Sequence, residues 1–251
     1  MKVDILFLAH NRREYTEEAL RQLERNTNWD LVDQFVFYND DSDIEQMNGL
    51  SIRPVGVPVF IQDCPESLGP IGIMNDYIKK SRITPWFAKI DNDTIVPPGW
   101  LDACVEIAAT DNTDLIGIET RYCQYPPMKP DWYPVIKYRT TDHVGGIGLF
   151  RRAMFEQCPL TVLTAQEQAA YRANGRDPRY YGFTEWQWAH PDVRKCWIDP
   201  PLPVFLLDHL PFAPWKSLGE EYVSKGWQRE SWGYYHPVKD RGLWEWWLNA
   251  C

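Results

Sequence analysis

Short apolar runs alternate with helical stripes over the first 119 residues, and no other feature limits the fold of this chain as tightly. The runs are Val3–Ala9, Gln34–Tyr38, Val57–Gln62, Trp86–Ile90 and Leu115–Glu119, each of strand length. Within residues 13–26, Tyr15, Ala19 and Leu23 recur at four-residue spacing. Gly69-Pro70 opens a second stripe with Ile71, Met74 and Ile78 on one face. Pro97-Pro98-Gly99 opens a third, with Leu101, Cys104, Val105 and Ala108. Strand–helix alternation of this kind implies an α/β fold, a mostly parallel central sheet flanked by helices. Ligands of such sheets sit beyond the carboxyl ends of the strands. The polar clusters His10-Asn11-Arg12, Asn39-Asp40-Asp41 and Asp91-Asn92-Asp93 fall at those ends.

From residue 120 onward the texture changes. Pro-rich stretches at 125–134 and 200–214 and Gly145-Gly146-Ile147-Gly148 break up shorter elements, and nine of the 13 Trp lie after residue 185. With 44% hydrophobic residues in 251, the chain has ample core material. No apolar run approaches the ~18 residues of a membrane span. The opening Met1–His10 is too quickly charged for a secretory signal, so a cytoplasmic protein is expected. The six cysteines (64, 104, 123, 158, 196, 251) show no metal-like spacing and are expected as reduced thiols.

The net charge of −9 disfavours broad attraction to nucleic acid or anionic lipid. It is unevenly spread: residues 1–120 hold 10 basic and 21 acidic side chains, residues 121–200 hold 11 and eight. An acidic front half suits a cation site. Two Asp-x-Asp tripeptides occur there, Asp41-Ser42-Asp43 and Asp91-Asn92-Asp93. The second alone lies between an apolar strand and a helix start, which aims it at the ligand crevice. Paired carboxylates there would hold a hard divalent cation, Mn²⁺ or Mg²⁺, able to neutralise a diphosphate leaving group.

The segment Ala88-Lys-Ile-Asp-Asn-Asp-Thr-Ile-Val-Pro-Pro-Gly-Trp-Leu101 resembles the metal-binding segment of family 2 glycosyltransferases of the GT-A fold. Other landmarks follow in that family's order. They are Ala9-His-Asn-Arg12, Asn39-Asp-Asp-Ser42, Ser67-Leu-Gly69 with Asn75, His143-Val-Gly-Gly-Ile-Gly-Leu-Phe-Arg-Arg152, and Gly182-Phe-Thr-Glu185. The resemblance covers residues 1–210 and implies a Rossmann-like GT-A catalytic domain over 1–215. Residues 1–120 would form its nucleotide-binding half and 121–215 its acceptor half, with an aromatic-rich C-terminal extension over 216–251.

The same resemblance implies roles for individual residues. Asn11, Arg12, Asp40, Asp41, Gly69, Asn75, Asp91 and Asn92 would contact a nucleotide-sugar donor, typically a UDP-sugar. Asp91 and Asp93 would bind the metal, completed by His209, with His10 and His143 as substitutes. Gly145, Gly146 and Trp186 would lie on the acceptor side. Glu185, flanked by Phe183 and Trp186, would be the catalytic base of an inverting transfer, taking the proton of the acceptor hydroxyl. The family's acidic pair is Thr184-Glu185 here, keeping only its second member.

A glycan or small molecule is the expected acceptor. A hydroxylated DNA base stays open because Arg151, Arg152, Arg172, Arg176 and Arg179 enrich the second half in positive charge. A sugar nucleotidyltransferase would need a Gly-rich phosphate loop after the first strand, where this chain has His10-Asn-Arg-Arg-Glu14. The third alternative is a non-catalytic glycan-binding relic of the fold. The sequence leaves the oligomeric state open, and the terminal aromatics read as core or dimer contacts.

Overall fold

A computed structural model describes residues 1–43, 47–51, 56–80, 84–110, 112–118, 137–174, 182–199, 202 and 204–206. Its main sheet contains β1 (Val3–Ala9), β2 (Val32–Asp40), β3 (Val59–Cys64), β4 (Trp86–Asp91), β6 (Leu115–Gly117), β7 (Lys137–Thr141), β8 (Gly148–Arg151) and β9 (Lys195–Asp199). The strand order is β3-β2-β1-β4-β8-β6-β9-β7. The four strands β3, β2, β1 and β4 are mutually parallel. Beyond β4 the sheet is mixed: β8 runs antiparallel to both β4 and β6, β9 is parallel to β6, and β7 antiparallel to β9. A separate two-stranded ribbon joins β5 (Thr94–Ile95) to β10 (Phe205–Leu206).

The described helices are α1 (Arg13–Asn26), α2 (Gly69–Lys80), α3 (Trp100–Ala108), α4 (Arg152–Gln157), α5 (Ala165–Ala173) and α6 (Phe183–Ala189). Among the described residues no helix is long and apolar enough to cross a membrane.

Alternation along the strands explains the two cores. Val3, Ile5, Phe7 and Ala9 of β1 and Trp86, Ala88 and Ile90 of β4 pack with α1 and α3. Leu6, Leu8 and Phe87 point the other way, onto α2, Phe155 of α4, and Phe183 and Trp186 of α6. β1 is buried along its whole length, and each fully buried apolar side chain contributes roughly 1.5–3 kcal/mol. The predicted stripes of α1 and α2 are the buried faces, whereas Val105 of α3 is only partly buried.

The expected strand Leu115–Glu119 is a strand over Leu115–Gly117, and its neighbours are β8 and β9. Gly148 makes that insertion possible. At φ 158°, a Cβ there would meet the Ile116 carbonyl oxygen at 2.1 Å, so only glycine lets β8 approach β6. Beneath the sheet, buried Asp4 accepts from Gln34 Nε2 at 2.7 Å and from Arg152 Nη2 at 3.4 Å, and Tyr77 also donates to it. Buried charge is tolerated only when it is paired in this way.

Candidate active site

Residues at the carboxyl ends of β1, β2 and β4 and at the start of α2 enclose a cleft of about 590 Å³, including its open mouth. Its polar walls are His10, Arg12, Asp40, Asp91, Asn92 and Asp93, and its apolar floor includes Leu8 and Ile73. Every non-glycine residue of positive φ among those described lies at its rim: Asn11 (51°), Arg12 (60°) and Asp41 (55°). Such conformations cost of order 1 kcal/mol or more outside glycine, and they gather where a binding loop demands them.

Asp91 and Asp93 follow directly from the β4 register. Asp91 Oδ1 accepts from Lys89 Nζ at 2.6 Å, both side chains lying on the α2 and α6 side of the sheet. Asp93 Oδ2 accepts from Arg12 Nη1 at 3.2 Å, where the left-handed turn before α1 presents the guanidinium. Burial pushes the Asp91 carboxyl above its usual range. Lys89 opposes that shift, and the neighbouring Asp93 charge adds to it.

Other residues expected to bind ligand hold the cleft's frame. Asn92 donates inward, to the Asn11 carbonyl at 3.0 Å and Thr16 Oγ1 at 2.9 Å, tying the β4 turn to α1. Asn11 receives the Asp43 N–H on its side-chain oxygen, and its own N–H bonds Ser42 Oγ, both at 2.9 Å. Asp40 accepts from Ser67 Oγ at 3.0 Å, Leu68 N–H at 2.6 Å and Gly69 N–H at 3.1 Å. Its carboxylate thus satisfies donors at the start of α2, a helix end whose N–H groups would otherwise lack partners. Asp41 is exposed beside it. The His10 ring bonds the Asp40 carbonyl through Nδ1 at 2.5 Å, so that nitrogen carries a proton and donates it.

Asn75 is directed elsewhere. It donates to the Leu160 carbonyl at 2.8 Å and borders a different hollow with Ile78, Phe155 and Pro159. Trp186 is 3% exposed, stacked on Phe155 with centroids 4.9 Å apart and bonded to the Cys158 carbonyl. It is core material rather than an acceptor platform. The large aromatic that α6 leaves open is Trp188, 66% exposed.

The glycine segment connects the cleft to α6, the helix that carries Glu185. A Cβ on Gly146 would lie 3.8 Å from Lys89 Nζ, which places this loop over the Lys89–Asp91 pair. Gln187 of α6 clamps Val144 from both sides, accepting its N–H at 2.9 Å and donating to its carbonyl at 3.0 Å. His143 Nε2 meets Thr184 Oγ1 at 3.0 Å. Glu185 Oε1 accepts from Tyr171 Oη at 3.0 Å, and Oε2 is buried with no partner among the described residues. Lys89, Tyr171 and Gln187 had no role in the sequence reading. Lys89 alone left a trace there, as a charge inside an apolar strand.

His209, Arg176, Arg179 and the aromatic extension lie outside the described residues. Among the described residues, no three His, Cys, Asp or Glu side chains group as metal ligands. The arginines behind the DNA alternative are partly committed. Arg152 is buried in the Asp4 network, and Arg151 stacks on Trp86 and pairs with Asp114.

The profile of glycosyl transferase family 2 matches residues 4–172. No curated protein sequence matches the chain. Among solved structures, a 1–349 fragment of S. aureus TarS is similar at TM-score 0.57 and 12% identity, over 100% of this chain and 79% of the fragment. GalNAc-T7 with UDP, GalNAc and Mn²⁺ reaches 0.57 at 11% identity, over 79% of this chain and 42% of its own. The TarS fragment with UDP-GlcNAc gives 0.50 at 13% identity, over 67% and 51%. The chain thus spans about half the length of several structures it resembles, and identities this low speak for the fold alone. The family profile, by contrast, takes in most of the sequence: the chain belongs to glycosyl transferase family 2 and is a glycosyltransferase of the GT-A fold.

Proposed function

We propose that the protein moves a sugar from a nucleoside diphosphate sugar, UDP-linked by preference, to a glycan hydroxyl in a metal-dependent, inverting transfer. The observation that carries this reading is the Asp91/Asp93 pair in a cleft at the strand ends, each carboxylate already matched to a cation. TarS has been seen with UDP-GlcNAc and GalNAc-T7 with UDP and Mn²⁺, which makes such a donor and ion reasonable here.

The donor set fits a hard divalent ion. Two carboxylates suffice where substrate phosphates and waters fill the remaining positions, as is usual for Mg²⁺. Asp91 and Asp93 would hold the ion, which supplies charge neutralisation for the departing diphosphate. His209 is a candidate third ligand: Leu206 pairs with Thr94, next to Asp93, and His209 follows three residues later. Arg12 and Lys89 keep the carboxylates compensated and stand close to where the diphosphate's negative charge would lie.

Glu185 takes the acceptor's proton as the acceptor oxygen attacks the anomeric carbon. Trp188 favours a glycan acceptor. It is exposed and three residues from Glu185 on α6, so the two share a helical face. We take residues 1–120 as the donor half and 121–215 as the acceptor half of one catalytic domain, a reading supported by the interleaving of their strands in one sheet.

A thermal-shift series with UDP, GDP and dTDP, with and without Mn²⁺, tests the reading. UDP with Mn²⁺ should raise the midpoint, since a ligand of the native state stabilises by mass action, and Asp93→Ala should abolish that rise. No shift with any nucleoside diphosphate in the presence of Mn²⁺ would overturn it.

A further inference from the structure

We infer that Tyr171 is a positioning residue for the proton-accepting carboxylate: its phenol engages Glu185 Oε1 and thereby leaves Oε2 as the oxygen that takes the acceptor's proton. The inference rests on Glu185 being the base and adds the element that aims it.

Three observations carry it. Tyr171 Oη donates to Oε1 at 3.0 Å, across 14 residues of sequence and between two helices. Oε2 is buried and has no partner among the described residues. A buried acceptor left unpaired is costly and uncommon, and it is retained where a substrate or catalytic role uses it. Finally, α5 buries none of its residues. It is closed at its start by a capping box, in which Thr164 N–H donates to Glu167 Oε2 at 2.8 Å and Glu167 N–H to Thr164 Oγ1 at 3.3 Å. Tyr171 therefore belongs to neither hydrophobic core.

α6 is secured on its other side by Gln187 and Thr184 to the Val144 and His143 backbone and ring. That fixes the helix but leaves the Glu185 side chain free to change rotamer, and the phenol removes this freedom. In the transfer, the acceptor O–H proton passes to Oε2, and the acceptor oxygen forms its bond to the anomeric carbon. The bond from that carbon to the diphosphate oxygen breaks, and its electron pair leaves with the diphosphate.

The test compares Tyr171→Phe, Glu185→Gln and the double variant. The assay follows nucleoside diphosphate release from the sugar nucleotide that most stabilises the wild-type protein. Tyr171→Phe should lower kcat about 10-fold, the scale of one hydrogen bond to a charged group, with donor KM unchanged. Glu185→Gln should lower kcat at least about 100-fold. The double variant should match Glu185→Gln alone, because the effect of the phenol on turnover passes through the carboxylate. Wild-type activity in Tyr171→Phe, or losses that multiply in the double variant, would overturn the inference and leave the base assignment standing. Full activity in Glu185→Gln, or no turnover by the wild-type protein, would remove the base assignment and the inference together.

Discussion

Arg12 and Lys89 each occupy one carboxylate of the Asp91/Asp93 pair, so the cleft is an array of opposite charges held close together. Lys89 is nearly buried at 2% exposure, and its pairing with Asp91 offsets the cost of keeping a charge there. Residue types at this site were legible in the sequence, and side-chain directions were not. The family resemblance implies that Asp40 and Asn92 contact the ligand. Both line the cleft, and their polar atoms also bond the start of α2 and α1, contacts that one-dimensional spacing does not reveal. Trp186 and Trp188 are two residues apart on a helix, and only the packing of α6 decides which faces solvent. Trp188→Ala should therefore raise the KM for a glycan acceptor roughly 5–10-fold, on the scale of one aromatic contact. Because the side chain is exposed, kcat and thermal midpoint should hold, and steady-state kinetics against varied acceptor checks the split.

Among the elements, the junction of β6, β8 and β9 depends on Asp114. Its carboxylate accepts from the Arg194 N–H at 3.1 Å and from Arg194 Nε and Nη2 at 2.9 Å each, and forms an ion pair with Arg151, whose Nε lies 3.2 Å away. Burial alone would raise its pKa, but the Arg194 hydrogen bonds and the two guanidinium charges outweigh it, and the net shift is downward. A carboxylate held below its unfolded value stabilises the fold above that value, and the contribution is lost as pH falls through the folded pKa. Asp114→Asn should therefore lower the thermal midpoint at neutral pH. The gap to wild type should shrink below about pH 4 and close in stronger acid, as calorimetry across that range would show. The long elements of this sheet could be read from apolar runs and stripes. β5, only two residues long, carries too little periodicity to be found that way.

At the scale of the molecule, β3 forms one edge of the sheet and leaves Val59, Phe60 and Ile61 exposed at 37%, 46% and 56%. An uncovered apolar edge invites pairing with another chain. Ile61→Lys should reduce light scattering on heating and change stability by no more than about 0.5 kcal/mol, as usual for a surface position. The strand order itself escaped the sequence because it joins segments far apart in the chain. β8 sits between β4 and β6, and β9 beyond them, although both follow long after. That order has a consequence during synthesis. A nascent chain that has emerged only as far as residue 118 has both walls of a slot and nothing to put in it, since among the described residues β4 and β6 each pair with β8 and not with each other. Until residue 151 clears the ribosome Asp91 and Asp93 stand on a half-built sheet, exposed to chaperones and to neighbouring chains.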